Sequence, residues 1–295
     1  MPMLAACRTV WSILADTVTG FVDHKGMRLS AAVAFYALLS LAPLVMLAVA
    51  VATTVLGPEA ARGGLVEEFR EHTGQAGAEV IQSTIANASK RGEGTLATVI
   101  GLTMLVLGAS AVFAELQDSL NTIWAVPPRA GHGVLIYLRG RLFSASLVVA
   151  VCFLLLGTVV LSTWLNAVEK AIAGTGYALP TIWQWINGGI SFVIILILYA
   201  AVYRYLPDAD VKWKSVLPGA MVAAILFFVG KELIGFYLGK AGVATPFGAA
   251  GSLVALVVWI YYSGVLFFIG AELTRAVQMH RTATDAGGRP AVQSR

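Results

Sequence analysis

Charged residues are scarce in this chain, because Asp, Glu, Lys and Arg together account for only 12% of its 295 residues. Hydrophobic residues make up 58%. A soluble globular domain carries about 25% charged and about 45–50% apolar residues. This composition leaves too few polar side chains to cover a water-soluble globule, so a lipid bilayer is the expected solvent for most of the chain.

Cysteine is also rare, with only Cys7 and Cys152 in the sequence. Cys7 lies in an N-terminal segment and Cys152 lies within an apolar run, so we expect no stabilising extracellular disulfide. A cleavable signal peptide is not expected either, because Arg8, Ser12 and Asp16 interrupt the apolar character of the first residues. The first long apolar run should therefore remain in the mature protein.

The sequence lacks the short motifs that would indicate an enzyme. No GxxxxGK[ST] phosphate-binding loop occurs, so ATP hydrolysis is not predicted. Two-metal nuclease chemistry needs converging carboxylates, but the acidic residues of the predicted loops are divided between the two membrane faces. The histidines form no metal-ligand pair at i, i+3 or i, i+4: His24, His72, His132 and His280. We therefore predict a protein that is not an enzyme and that binds no metal or other cofactor.

Long apolar runs dominate what is present. A helix of roughly 20 apolar residues crosses about 30 Å of hydrocarbon. By that criterion the sequence predicts an all-α polytopic membrane protein with six transmembrane helices. The predicted spans are residues 31–56, 95–114, 142–164, 182–203, 215–238 and 249–271.

The distribution of Lys and Arg among the connections predicts the orientation of these spans. Placing both termini and the loops 115–141 and 204–214 on one side gathers thirteen of the twenty basic residues there. Both termini are therefore predicted to be cytoplasmic. The asymmetry accounts for the net charge of +4, and no nucleic-acid partner is needed to explain it.

Three regions lie outside the spans. Residues 1–30 are predicted to form an amphipathic helix, which either lies on the cytoplasmic leaflet or packs on the helix bundle. Within the 31–276 membrane domain, the connection 57–94 is predicted to form a short helical external cap. Residues 277–295 are predicted to be a disordered cytoplasmic tail.

The adjacent charges Lys231 and Glu232 lie inside the fifth span, and an ionisable residue within a span is a functional candidate by default. Lys231 lies sixteen residues beyond Ser215, which is roughly 24 Å along a helix. At that depth it can snorkel to the outer headgroups, or it can receive a lipid phosphate as a point charge. Glu232 points about 100° away from Lys231 on a helix with 3.6 residues per turn, and it is expected to face the helix bundle or a water-filled cavity.

Further candidate transport residues lie in or beside other spans. Tyr36 and Ser40 share a helical face before Pro43, where either a local kink or a gating bend is expected. Glu115 and Asn121 follow the second span, in a solvated helix extension or an entry site.

Glu272 ends the last span, three residues before Arg275. An i, i+3 ion pair at the inner interface is favoured there over a direct transport role.

Glycines are expected to permit close helix packing. Gly235 and Gly239 form a GxxxG pair in the fifth span. Gly248 and Gly251 lie in the small-residue lead-in to the sixth span, where a tight turn and close packing are predicted.

Four sequence blocks together resemble the YihY/BrkB family, in the order that the family shows and over nearly the whole chain. The blocks are RLSAAVAFYALLSLAPL, LNTIW, YRYLP with VKWKSVLPGA, and FGAAGSLVALVVWIYYSGVLFFIGAEL. The resemblance implies a six-helix protein of the bacterial inner membrane with both ends in the cytoplasm. It also implies the labels "virulence factor" and "ribonuclease BN", of which the nuclease label is widely regarded as a misassignment. Some members have been linked to the export of lipids across the inner membrane.

The leading functional prediction is a transporter or flippase of an anionic lipid or amphiphile, with membrane lipids as its partners. Lys231 is expected to bind the headgroup, Glu232 to supply a proton or counter-charge, and the bend at Pro43 to act in gating. The alternative is a membrane scaffold or envelope-assembly factor with envelope-protein partners. A membrane-bound nuclease is the least favoured of the three.

Overall fold

The structure of this chain is a computed structural model that describes residues 2–56, 63–64, 66–67, 70, 78–83, 85–86, 111–127, 180–240 and 251–285. Shorter helical pieces include 78–83 and 111–123, and no strand occurs in these ranges. The long helices are α1 (Pro2–Asp23), α2 (Gly26–Leu56), α3 (Pro180–Tyr205), α4 (Trp213–Lys240) and α5 (Gly251–Asp285). The described part of the chain is therefore all-α, as the sequence predicts.

Three of these helices contain stretches long and apolar enough to cross a membrane within the described ranges. They are Gly188–Tyr205 in α3, Trp213–Leu233 in α4 and Leu253–Thr284 in α5. Gly26–Leu41 in α2 is apolar but shorter. The third predicted span and most of the second lie outside the described residues, so six spans with both ends in the cytoplasm remain a prediction.

The helix α5 is the central element, because it packs against α1, α2, α3 and α4. The buried core between α3, α4 and α5 includes Tyr203, Ala223 and Phe268, each no more than 1% exposed. The Tyr203 hydroxyl donates a hydrogen bond of 2.6 Å to the carbonyl oxygen of Phe267. This bond satisfies a buried polar group and ties α3 to α5.

The opposite face of α4 carries a continuous apolar ridge. Its members recur at every fourth residue and are 39% to 61% exposed: Trp213, Leu217, Met221, Ile225, Val229 and Leu233. In water such a ridge would cost free energy in proportion to its apolar area. It is the surface expected of a helix that faces lipid tails.

The structure corrects two predicted boundaries. The helix α5 continues to Asp285, so residues 277–285 are helical and not part of a disordered tail. The helix extends because Ala276 and Val277 are buried against the rest of the bundle, which compensates for the polar composition of this segment. The helix α2 begins at Gly26, five residues before the predicted start of the first span at 31.

Most of the predicted external cap, 57–94, lies outside the described residues. The pieces that are described are helical, and Ala78 and Ile81 are buried. A buried apolar pair is what an amphipathic helix packed on the protein requires.

Candidate functional site

A buried carboxylate lies where α1 meets α5. Glu272 on α5 is only 1% exposed, and its Oε1 lies 2.6 Å from Nδ1 of His24 at the end of α1. Because an ionised carboxylate can only accept a hydrogen bond, His24 Nδ1 is the donor. The predicted ion pair with Arg275 is present but longer, at 3.7 Å between Nη1 and Oε2. Glu272 therefore joins two helices rather than standing alone at the end of a span.

The backbone near His24 is shaped to bring α1 this close. Lys25 adopts a left-handed conformation with φ of 56°, which ends α1 and starts the turn into α2. One helical turn before His24, a Cβ atom added to Gly20 would lie 2.6 Å from Glu272 Oε2. Glycine at position 20 thus lets the carboxylate lie directly beneath α1, and a side chain there would force Glu272 to shift.

A second contact joins the same two helices further along. His280 Nε2 lies 3.2 Å from Ser12 Oγ and 3.5 Å from Asp16 Oδ2. Since later residues of α5 meet earlier residues of α1, the two helices pack antiparallel. The N-terminal helix thus packs on the bundle, which is one of its two predicted arrangements.

The outer face of α1 nevertheless retains the apolar character of an interfacial helix. Trp11 is 73% exposed, and Val18 and Val22 are each 66% exposed. Leu14 lies between them on the same face and is also exposed. The helix thus packs on α5 by one side and leaves this stripe uncovered, so the two predicted arrangements are compatible.

The loop between α3 and α4 is fixed from both sides by amide side chains. Asn121 Nδ2 donates to Asp208 Oδ2 at 3.0 Å, while its Oδ1 accepts from the Asp208 backbone N–H at 2.8 Å. Gln278 on α5 donates to the Asp210 carbonyl at 2.9 Å and accepts from the Lys212 N–H at 2.9 Å. Both ends of the Asn121 amide are engaged, which indicates a positioning role for this predicted site residue.

Glu115 lies two helical turns before the Asn121 contact and is half-buried. Burial raises the pKa of Glu115 above its ordinary value, and the nearby Asp118 carboxylate raises it further. Residues 115–123 form a helical extension of the predicted second span.

Lys231 is half-buried on α4, and its Nζ lies 5.4 Å from the centroid of the Phe228 ring. One turn earlier, Phe227 contacts the rings of Tyr199 on α3 and Trp259 on α5. Lys231 therefore lies at the edge of the junction of three helices. A cation over an aromatic face is stabilised by the ring quadrupole, more strongly where water is excluded.

Glu232, the neighbouring residue, is exposed. The bundle-facing orientation predicted for it is wrong, because the helical step of about 100° from Lys231 turns it away from the packed helices. A water-filled groove beside α4 remains a prediction for this carboxylate.

The candidates in α2 are partly described. Ser40 is 4% exposed, and its hydroxyl donates a 3.0 Å hydrogen bond to the Ala37 carbonyl. Tyr36 is half-buried and meets the ring of Phe35 edge-on, with centroids 5.6 Å apart. The helix runs unbroken through Pro43, so gating at this proline stays a prediction.

A model of the family described as Virulence factor BrkB matches residues 17–294 of the chain. The chain belongs to this family. Its relatives include a ribonuclease-like protein, YfkH, of Bacillus subtilis, which is 25% identical over 93% of this chain and 98% of the relative. A UPF0761 membrane protein of Tolumonas auensis is 30% identical over 67% of this chain and 62% of the relative. The UPF0761 membrane protein PSHAa0171 of Pseudoalteromonas translucida is 25% identical over 83% and 78%, respectively.

This BrkB-family chain is thus an integral membrane protein, in agreement with its apolar helices. It spans about 62% of the length of the Tolumonas relative. No solved structure matches it. In the part of the chain that the structure describes, no three His, Cys, Asp or Glu residues are grouped so that they could hold a metal ion.

A close helix crossing in the described part of this family member involves glycines other than those predicted. A Cβ atom added to Gly219 on α4 would overlap Thr274 Oγ1 and the carbonyl oxygen of Gly270 on α5. The sequence contains a signal for this crossing, because each helix has two small residues four positions apart. They are Gly219 and Ala223 on α4, and Gly270 and Thr274 on α5. The predicted packing glycines Gly235, Gly239 and Gly248 lie outside the described side chains, and Gly251 begins α5.

His24 is the other site residue that sequence analysis missed. It lies 248 positions from Glu272, and a single histidine at the end of an amphipathic helix carries no local signal of such a partner. Only the antiparallel packing of α1 on α5 brings the two together.

Proposed function

We propose that this protein moves an anionic amphiphile, such as an anionic lipid, between the leaflets of the bacterial inner membrane. In this proposal it is a multi-pass protein with six spans and both termini in the cytoplasm, and it is not an enzyme. The amphiphile travels along a groove beside α4, with its headgroup close to Lys231 and its tails in the bilayer.

The observation that carries this proposal is the position of Lys231. An ionisable residue within a membrane-length helix is a functional candidate by default, because its charge is costly in the bilayer. Here the side chain is half-buried beside Phe228 at a three-helix junction.

The neighbouring groups fit an amphiphilic substrate. Glu232 is exposed next to Lys231, so a carboxylate lies within reach of the same groove and can supply a counter-charge or carry a proton. The apolar ridge from Trp213 to Leu233 borders the pair. The headgroup of an anionic lipid would thus contact the Lys231 cation, and the lipid tails would contact the apolar ridge.

A second candidate function, a membrane scaffold or envelope-assembly factor, is favoured by the uncovered stripe of α1. Trp11, Val18 and Val22 present a large apolar surface outside the bundle. That role requires the stripe and tolerates loss of Lys231, whereas transport requires Lys231. Complementation of a deletion strain by Trp11→Ser and by Lys231→Ala proteins separates the two roles. Loss with Trp11→Ser alone supports the scaffold.

Purified protein in liposomes tests whether transport occurs at all. The liposomes contain a fluorescent phosphatidylglycerol in both leaflets, and an impermeant reductant bleaches the outer one. We expect the inner-leaflet label to be lost quickly in proteoliposomes without ATP, because the sequence contains no ATP-binding loop. A labelled phosphatidylcholine should exchange more slowly, since its headgroup carries no net negative charge. Exchange at the rate of protein-free liposomes would contradict the proposal.

A further inference from the structure

A cavity of about 490 Å³ lies at the end of the bundle where α5 passes the 111–127 segment. Trp124 and Ala125 form one wall, while Arg275, Gln278, Met279 and Thr282 of α5 form the other. This volume is within the range of about 300–1,000 Å³ that is common for small-molecule sites. None of the predicted transport residues lines it.

The first wall is built by a tight turn. Ala125 has a left-handed φ of 50°, which a residue with a side chain adopts at some cost. The turn is closed by the Val126 N–H, which donates to the Asn121 carbonyl at 2.9 Å. Asn121 is in turn bonded to Asp208, so the wall is anchored to the α3–α4 loop.

The second wall is held by the same loop. Gln278 spans Asp210 and Lys212 with two hydrogen bonds of 2.9 Å, which fixes the facing side of α5. Both walls are therefore hydrogen-bonded to the same loop, 206–212. A cavity formed in this way is largely preorganised, which reduces the entropic cost of binding.

Arg275 supplies the charge of the cavity. Its guanidinium has five N–H donors, and its contact with Glu272 at 3.7 Å is longer than a hydrogen bond. Because Arg275 lines the cavity and its side chain is 21% exposed, its guanidinium can meet a ligand there. Arginine recognises phosphate oxygens with its planar fork of donors, and the resulting charge-assisted bonds are strong.

The remaining surface is largely apolar. Trp124 and Met279 line the cavity together with the arginine. An inorganic anion would leave these groups without a partner, whereas an alkyl chain attached to the anion would cover them. We propose that this cavity binds a phosphate group that carries an aliphatic chain, at a site separate from Lys231.

The two sites differ in position. The cavity adjoins the 206–212 loop, directly before α4 begins at Trp213. Lys231 is 18 residues further along α4 (231 − 213), which is roughly 27 Å of helix at 1.5 Å per residue. By the charge distribution of the sequence, the cavity lies on the cytoplasmic side. Binding there does not depend on whether the protein transports its ligand.

Hexyl phosphate, a water-soluble alkyl phosphate, is a suitable probe. The full chain is placed in nanodiscs of phosphatidylcholine, so that no anionic lipid competes, and binding is measured by isothermal titration calorimetry. We expect saturable binding of hexyl phosphate and at least about tenfold weaker binding of inorganic phosphate and of hexanol. Equal affinity for inorganic phosphate, or no saturable binding of hexyl phosphate, would overturn the proposal.

Three variants locate the site. Arg275→Gln should weaken hexyl phosphate binding by about tenfold or more. Ala283→Leu, which fills the cavity lined by Ala283 and keeps Arg275, should weaken it comparably. Arg281→Gln removes an exposed arginine from the same helix and should leave the affinity unchanged. Wild-type affinity in both Arg275→Gln and Ala283→Leu would show that the cavity is not the binding site.

Discussion

Gly219→Ala is expected to lower the free energy of unfolding by about 3 kcal/mol, because the new methyl group cannot be accommodated between α4 and α5. Its Cβ would overlap the carbonyl oxygen of Gly270 as well as the Thr274 hydroxyl. A backbone carbonyl within a helix cannot rotate away as the end of a flexible side chain can. The two helices must therefore separate, and the buried contacts around Ala223 are lost with them.

Gly189→Ala on α3 is the matched control for this prediction. A Cβ atom added at Gly189 meets nothing within 4 Å, so the change should be neutral or stabilise the helix by up to about 1 kcal/mol. Unfolding of the two variants in mixed micelles of increasing SDS content measures the difference. Equal stability of the two variants would show that the α4–α5 crossing is looser than the structure has it.

His24→Ala is expected to destabilise the protein by about 2–3 kcal/mol, because it removes the closest donor from a buried carboxylate. Glu272 is 1% exposed, so water cannot replace the lost bond. The Arg275 guanidinium, whose Nη1 lies 3.7 Å from Glu272 Oε2, offsets part of this free-energy cost. Glu272→Gln should cost less, about 1 kcal/mol, since the glutamine keeps the shape and His24 is partly solvated.

A double-mutant cycle separates this contact from other effects of the changes. Once Glu272→Gln has removed the buried charge, His24→Ala should cost much less than it does in the wild-type protein. The same SDS unfolding assay gives all four stabilities. If the losses in free energy of unfolding of the two single variants add up in the double variant, His24 and Glu272 do not interact. The docking of α1 on α5 would then need another explanation.

The parts of the fold set by long apolar runs could be predicted from the sequence. The spans at 182–203 and 215–238 fall within α3 and α4 as the structure has them. Their length and hydropathy depend only on local composition. The ion pair of Glu272 with Arg275 was also predictable, since both residues lie on one helix at i, i+3.

The features that depend on distant partners could not be predicted in the same way. The helical state of 277–285 depends on burial of Val277 and on the contacts of Gln278 and His280 with other elements. From composition alone this segment resembles a polar tail. The contact between His24 and Glu272 likewise depends on how α1 folds back on α5.

The positions of the adjacent residues around the α4 helix explain why Lys231 is half-buried while Glu232 is exposed. The small and apolar members Ala223 and Phe227 share a ridge with Lys231, and they are buried or half-buried. The shared helical phase therefore accounts for the half-buried side chain of Lys231. Glu232 was predicted to face the helix bundle or a water-filled cavity, and its exposed side chain is compatible only with the second alternative.

Leaflet exchange in liposomes that contain Lys231 variants shows whether this lysine binds the transported headgroup. We expect Lys231→Ala to lose most of the wild-type exchange of an anionic fluorescent lipid, and Lys231→Arg, which keeps the charge, to retain most of it. Equal amounts of folded protein, checked by gel filtration, make the comparison valid. Unchanged exchange in Lys231→Ala would show that transport does not depend on Lys231 and would contradict the proposed function.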